Sequence, residues 1–169
     1  MNLVFAELAR RFGLGRRRVA TGSGDGEIHD ERGSDGVHAL NVEPSDPAVE
    51  AHLATLRLKV PHLIGSLAAT VDGLLIAHDL PATIEPTGIA ALAAAQLSLS
   101  QTFVAATHST HLQELVIDGG SGHIVIYAAG PTALLGVLTD AEAVLGRVHL
   151  EARPAALAIA AVLSTPPQE

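Results

Sequence analysis

The chain reads as an α/β (α+β) domain of order α-β-β-α-β-β-β-α. Three observations predict it: a capped amphipathic helix at Asp46, a tight turn at Asp72-Gly73 between two apolar runs, and a Gly-punctuated three-strand meander between long helical segments. The domain spans residues 44–165, with residues 1–43 as an N-terminal extension and 166–169 as a short tail. At 169 residues the chain is long enough for one core.

The first helix has Asp46 as N-cap and Pro47 at its first position, and Val49, Leu53, Leu56 and Val60 recur at helical spacing until Pro61 stops it. Residues 63–71 and 74–78 follow as strands, and Asp72-Gly73 suits the positive φ angles of a two-residue type I′ hairpin.

The second helix is predicted over residues 85–107 and would span about 35 Å. Ile89, Leu92, Leu99 and Phe103 form a bulky stripe expected to cover the sheet, while Ala94, Leu97, Ser98, Gln101, Ala105 and His108 form a smaller, mildly polar one. Residues 86–113 contain no Asp, Glu, Lys or Arg, so the second stripe is also expected to meet protein. Homodimerisation is the simplest reason; cover by the closing helix or the extension is the alternative. The run is long enough to raise the question of a membrane span, but Gln96, Ser98, Ser100, Gln101, Thr102 and His108 interrupt it and point to burial in protein.

The meander places strands at residues 112–118, 123–128 and 133–139, with turns at Gly119-Gly120-Ser121-Gly122 and Gly130-Pro131. Ile124 and Ile126 on one face of the middle strand, and Val125 and Tyr127 on the other, call for helices on both sides. The last helix runs from Asp140 or Ala143 to Leu163, and Pro154 is expected to kink or split it.

With the local sequences LAATVDGLLIAHDLP, ELVIDGGSGHIVIYAAG and ALLGVLTDAEAVLGRVHLEAR, this order resembles the Roadblock/dynein light chain family over residues 46–163. The resemblance implies a five-stranded antiparallel sheet with the first and last helices on one face and the long middle helix on the other, a profilin-like sandwich. It also implies that two subunits join through their middle helices and third strands, the latter carrying Gln113 and Glu114 ahead of Asp118. Family members of this kind pair with themselves and bind other proteins. Bacterial members bind Ras-like small GTPases, and some stimulate hydrolysis by repositioning the GTPase's own residues. The interface candidates are Ala94, Leu97, Ser98, Gln101, Ala105, His108, Gln113 and Glu114, and Leu97→Glu is expected to break the assembly.

Composition narrows the partners. Net charge is -8, and residues 44–169 hold four Lys or Arg against eleven Asp or Glu. With no Trp, one Tyr and three Phe, a nucleic-acid surface is not expected. The absence of Cys excludes disulfides and thiol nucleophiles and fits the cytoplasm. In the extension, Val4, Phe5, Leu8 and Phe12 share a helical face and are joined by Arg10, Arg11, Arg16, Arg17 and Arg18. That segment suits a mobile tail or, less well, a contact with anionic lipid, and its apolar-then-basic order is the reverse of a secretory signal. Residues 21–36 read as an acidic, Gly-rich linker, and the GSGDG within it lacks the flanking strand and Lys of a phosphate loop.

No catalytic constellation emerges. His29 and His38 fall in the linker, His52 and His62 flank the first helix, His78 adjoins Asp79, and His149 lies on the last helix. His108 and His111 are three apart without an evident third ligand, so no metal or cofactor is expected. Ser66, Ser98, Ser109 and Ser121 stand in no G-x-S-x-G elbow, and Asp72, Asp118 and Asp140 have turn, strand-end and cap roles. Without a P-loop the chain is not itself a GTPase; an inserted arginine would have to be Arg57, Arg147 or Arg153, none in a predicted loop. The reading is a non-catalytic homodimeric adaptor for a small GTPase. The alternatives are a small-ligand sensor, which requires a closed apolar pocket between sheet and middle helix, and a structural scaffold subunit.

Overall fold

The computed structural model describes residues 46–108 and 110–164. The expectations for residues 1–43 and 166–169, and Ser109 as a candidate nucleophile, lie outside the described residues.

Helix α1 (Pro47–Lys59) begins as its sequence requires: the Asp46 carboxylate accepts from the N–H groups of Ala48 and Val49 at 2.9 and 3.3 Å. Val49, Leu53, Leu56 and Val60 are all buried. After Pro61, His62 takes the left-handed conformation (φ 64°) and turns the chain into β1 (Leu63–Thr70). That strained turn is held by Asp140: its N–H donates to the His62 carbonyl at 3.1 Å, and His62 Nδ1 lies 3.1 Å from Asp140 Oδ2.

The turn to β2 (Leu75–Asp79) differs from the type I′ expectation. Gly73 has a positive φ (87°) but Asp72 does not. Thr70 N–H donates to the Leu74 carbonyl at 2.8 Å and Gly73 N–H to the Thr70 carbonyl at 2.9 Å, so the loop has three residues, 71–73. The longer loop needs only one left-handed residue, and glycine supplies it without the steric penalty Asp72 would incur.

Helix α2 (Pro86–His108), strands β3 (Glu114–Asp118), β4 (Gly122–Ala129) and β5 (Ala133–Asp140), and helix α3 (Leu145–Ser164) complete the domain. The sheet order is β2-β1-β5-β4-β3, with every pairing antiparallel. On one face α1 and α3 bury Leu53, Leu56, Val148 and Ile159 against Val125, Tyr127, Leu135 and Val137. On the other, α2 packs on Leu67, Ala69, Ile126 and Leu134. β3 is thereby left at an edge.

Pro154 neither splits nor ends α3, which is one helix on both sides of it. A proline deprives the carbonyl four residues earlier of its donor. Here Leu150 and Pro154 both lie on the exposed side, where water can serve that carbonyl. The helix starts at Leu145, later than expected, because Asp140 caps a turn ahead of it, accepting from the Glu142 N–H at 2.8 Å.

Candidate protein interface

The long helix turns most of its expected inner stripe outward: of Ile89, Leu92, Leu99 and Phe103, only Ile89 packs toward the sheet. Ala90, Ala93, Ala94 and Leu97 are buried against the sheet, whereas Leu92 (67 % exposed), Leu99 (67 %) and Phe103 (70 %) point away from it. Close approach explains the reversal. A Cβ at Gly73 would stand 3.0 Å from the Ala91 Cα, so the helix lies near enough to the β1–β2 turn that small side chains must face inward and bulky ones outward. The helix starts firmly: Glu85 caps it through the N–H groups of Thr87 and Gly88, and those bonds hold its carboxyl below the usual carboxylate range.

Leu92, Gln96, Leu99 and Phe103 follow one another at spacings of four, three and four, the repeat of a helix that packs along another helix. By length and composition α2 could also cross a membrane. Its inner face is core of the sandwich, however, and the seam opposite is broken by half-buried Gln96.

The sequence-predicted candidates separate into three groups. Ala94 and Leu97 belong to the core, a correction to their assignment to an outward stripe; with exposed Ser98 and Gln101 they line a surface groove of about 280 Å³ beside Asp72, Gly130 and Pro131. Ala105 and His108 are exposed farther along α2. Gln113 and Glu114 sit at the start of β3, on the sheet's open edge.

That edge has a defined polarity. The Gln113 carbonyl accepts from Ala128, and Gly119 donates to the Gly122 carbonyl, both at 2.9 Å, so the odd-numbered residues turn their backbone groups toward β4. Antiparallel alternation then turns those of Glu114, Val116 and Asp118 outward, unpaired within the sheet.

Sequence reasoning missed what ties β3 to α3. Arg153 grips the Glu114 carboxylate with Nε at 2.8 Å and Nη2 at 2.7 Å, while His149 Nδ1 lies 3.7 Å from Glu114 and 2.8 Å from the Tyr127 hydroxyl. No local signal announces residues so far apart in the chain. The Arg153 guanidinium holds the Glu114 carboxyl below the usual range against the opposing effect of burial, and burial pushes the Tyr127 phenol up. Because the folded-state value of Glu114 is the lower one, its contribution to stability is present above the ordinary carboxylate range and is lost as pH falls through the folded value. Glu114→Gln is therefore expected to melt a few degrees below wild type at neutral pH, with the gap closing in acid; a gap that stayed constant through the acid range would remove the ion pair from the account.

The other arginines among the described residues are also committed to the fold. Arg57 binds Asp79 and the Ile64 carbonyl, and Arg147 meets Glu151 and the Lys59 carbonyl. Ser66 lies wholly buried in β1 with its hydroxyl unpartnered, out of reach of any substrate. His108 and His111 are exposed, and among the described residues no group of three or more His, Asp or Glu is placed to hold a metal. The grooves are surface features: besides the one at α2, another of about 360 Å³ runs between β3 and α3 past Leu112, Tyr127, Arg153 and Leu157.

A family model described as the Roadblock/LC7 domain matches residues 51–139. Uncharacterized protein MJ1340 of Methanocaldococcus jannaschii is 31% identical over 104 residues, which is 62% of this chain and 90% of that protein. Among solved structures, the Roadblock/LC7 domain from Streptomyces avermitilis matches with a TM-score of 0.65 at 22% identity, covering 68% of this chain and 97% of that one. The gliding protein MglB from Thermus thermophilus matches with a TM-score of 0.62 at 23% identity, covering 68% and 87%. The chain belongs to the Roadblock/LC7 family.

Proposed function

We propose that this protein is a non-catalytic cytoplasmic adaptor that pairs with itself through the outer side of α2 and offers the assembled surface to a Ras-like small GTPase. The observation that carries the reading is the Leu92, Leu99 and Phe103 seam on a 23-residue helix without one formal charge. Isolated exposed apolar residues are ordinary, but three in helix-packing register along a helix that bears no charge call for a protein partner. Self-association has precedent on this fold, since an MglB structure is described with a tetrameric arrangement. Membership of the Roadblock/LC7 family supports the GTPase part of the reading.

Such an adaptor acts by positioning. Arg57, Arg147 and Arg153 are each held by acceptors of their own chain, which favours modulation of the GTPase's own residues over an inserted arginine. The grooves at the surface favour assembly over a sensor with an enclosed ligand cavity.

The test is affinity capture from native extract with the full chain, in excess GTP analogue and again in GDP, followed by protein identification. Enrichment of a small GTPase in one nucleotide state is the expected result. Recovery of self-copies alone, or of partners indifferent to nucleotide, would sink the GTPase assignment.

A further inference from the structure

The apolar and basic run of residues 1–18 plays no part in the surface proposed for a GTPase. Five of the chain's ten Lys and Arg fall in it, against a single acid, Glu7. Wound as a helix, the run brings Val4, Phe5, Leu8 and Phe12 to one side, and Gly13 and Gly15 end that helix just ahead of Arg16, Arg17 and Arg18. An apolar face followed at once by a basic cluster matches the surface of an anionic bilayer. The face enters the boundary between headgroups and acyl chains, and the cations meet the headgroups.

The rest of the chain is unsuited to that surface. Residues 19–43 hold six Asp or Glu against one Arg, and residues 44–169 hold eleven against four Lys or Arg. Among the described residues those four cations are engaged within their own domain: Arg57 with Asp79, Arg147 with Glu151, Arg153 with Glu114, and Lys59 Nζ 3.5 Å from Glu151. The domain therefore offers anionic lipid no patch of uncommitted positive charge, and its excess of carboxylates is repelled by it. Whatever attraction the chain has for such a membrane resides in residues 1–18.

One copy of so short an anchor holds a bilayer only marginally and reversibly, and stable attachment takes a second signal. The self-pairing proposed above supplies it, and the inference rests on that reading. A dimer carries two anchors, each joined to α1 by residues 19–45, which extend to about 90 Å. With one anchor seated, the other meets the same bilayer at high effective concentration.

We infer that residues 1–18 are a lipid anchor and that the paired protein attaches to anionic membrane through two of them, so that attachment requires pairing.

The test is flotation of the full chain with vesicles of phosphatidylcholine alone, or of phosphatidylcholine and phosphatidylglycerol in equal parts, while light scattering without lipid reports the mass. Wild type is expected to float with the mixed vesicles, to stay behind with the neutral ones, and to be released by salt. Two variants of the anchor, Phe5→Glu with Phe12→Glu, and Arg16→Gln with Arg17→Gln and Arg18→Gln, are expected to remain dimers and to bind at least about tenfold more weakly. Leu99→Glu leaves the anchor intact and is expected, as a monomer, to bind about a hundredfold more weakly. A dimeric wild type that ignores the mixed vesicles, or an anchor variant that floats like wild type, overturns the anchor. Equal flotation with neutral vesicles overturns the part given to anionic headgroups. Equal binding by monomeric Leu99→Glu overturns the need for pairing, and a monomeric wild type overturns the self-pairing reading together with the paired anchor.

Discussion

Leu99→Glu is expected to yield a folded monomer, and Leu97→Glu, two residues away, an unfolded chain. Leu99 is 67% exposed on the seam turned away from the sheet, so a glutamate there costs the isolated domain little. In a dimer joined along that seam the same carboxylate would be buried without a partner, a penalty of about 3 kcal/mol or more at each of two symmetric sites. That is enough to shift the association by several orders of magnitude. Leu97 is only 2% exposed and packs among Ala94, Leu67 and Leu134, so a charge there falls on the core of a single subunit. Light scattering and thermal melts separate the two effects. A dimeric mass for Leu99→Glu would place the subunit interface elsewhere, and a well-folded Leu97→Glu would contradict the packing of α2 on the sheet.

This pair of variants marks where the sequence was legible and where it was not. The start of α1 was legible because cap, proline and apolar spacing all agree at Asp46, Pro47, Val49, Leu53 and Leu56. The strands of the meander were legible from their glycine punctuation and from apolar residues on both faces. The facing of α2 was not, because a stripe of bulky residues ordinarily marks the buried side, and here, with the helix close to Gly73, three of its four buried residues are alanines. A sequence pattern records that a helix has two apolar faces without recording how near the sheet lies. The same limit hid the Glu114, Arg153, His149 and Tyr127 cluster, whose members meet only after α3 folds back over β4 toward the edge strand. Pro154 misled in the other direction, since the penalty of a mid-helix proline falls where the freed carbonyl stays buried, and Leu150 is on the exposed side.

The turn that presents β3 supplies the second large effect, and it turns on which of two neighbouring glycines is replaced. Gly122→Ala is expected to destabilise the domain by about 3 kcal/mol or more, whereas Gly120→Ala is expected to cost about 1 kcal/mol. A Cβ on Gly122 would stand 2.1 Å from the Thr139 carbonyl oxygen and 3.1 Å from the Asp140 Cα. Both are backbone atoms of β5, so no side chain can swing aside, and β4 must part from β5 where Gly122 pairs with Asp140. Gly120 has a left-handed φ of 75° but nothing within 4 Å of where its Cβ would be, so its replacement meets only the backbone penalty of a non-glycine residue there. Urea unfolding of the two variants measures the difference. Equal losses would mean that β4 yields at Gly122 and that strain is shared along the hairpin. The expected asymmetry would show that β3 is held in place through β4 by close backbone packing, the rigidity an edge strand needs if it is to meet a second copy in one register.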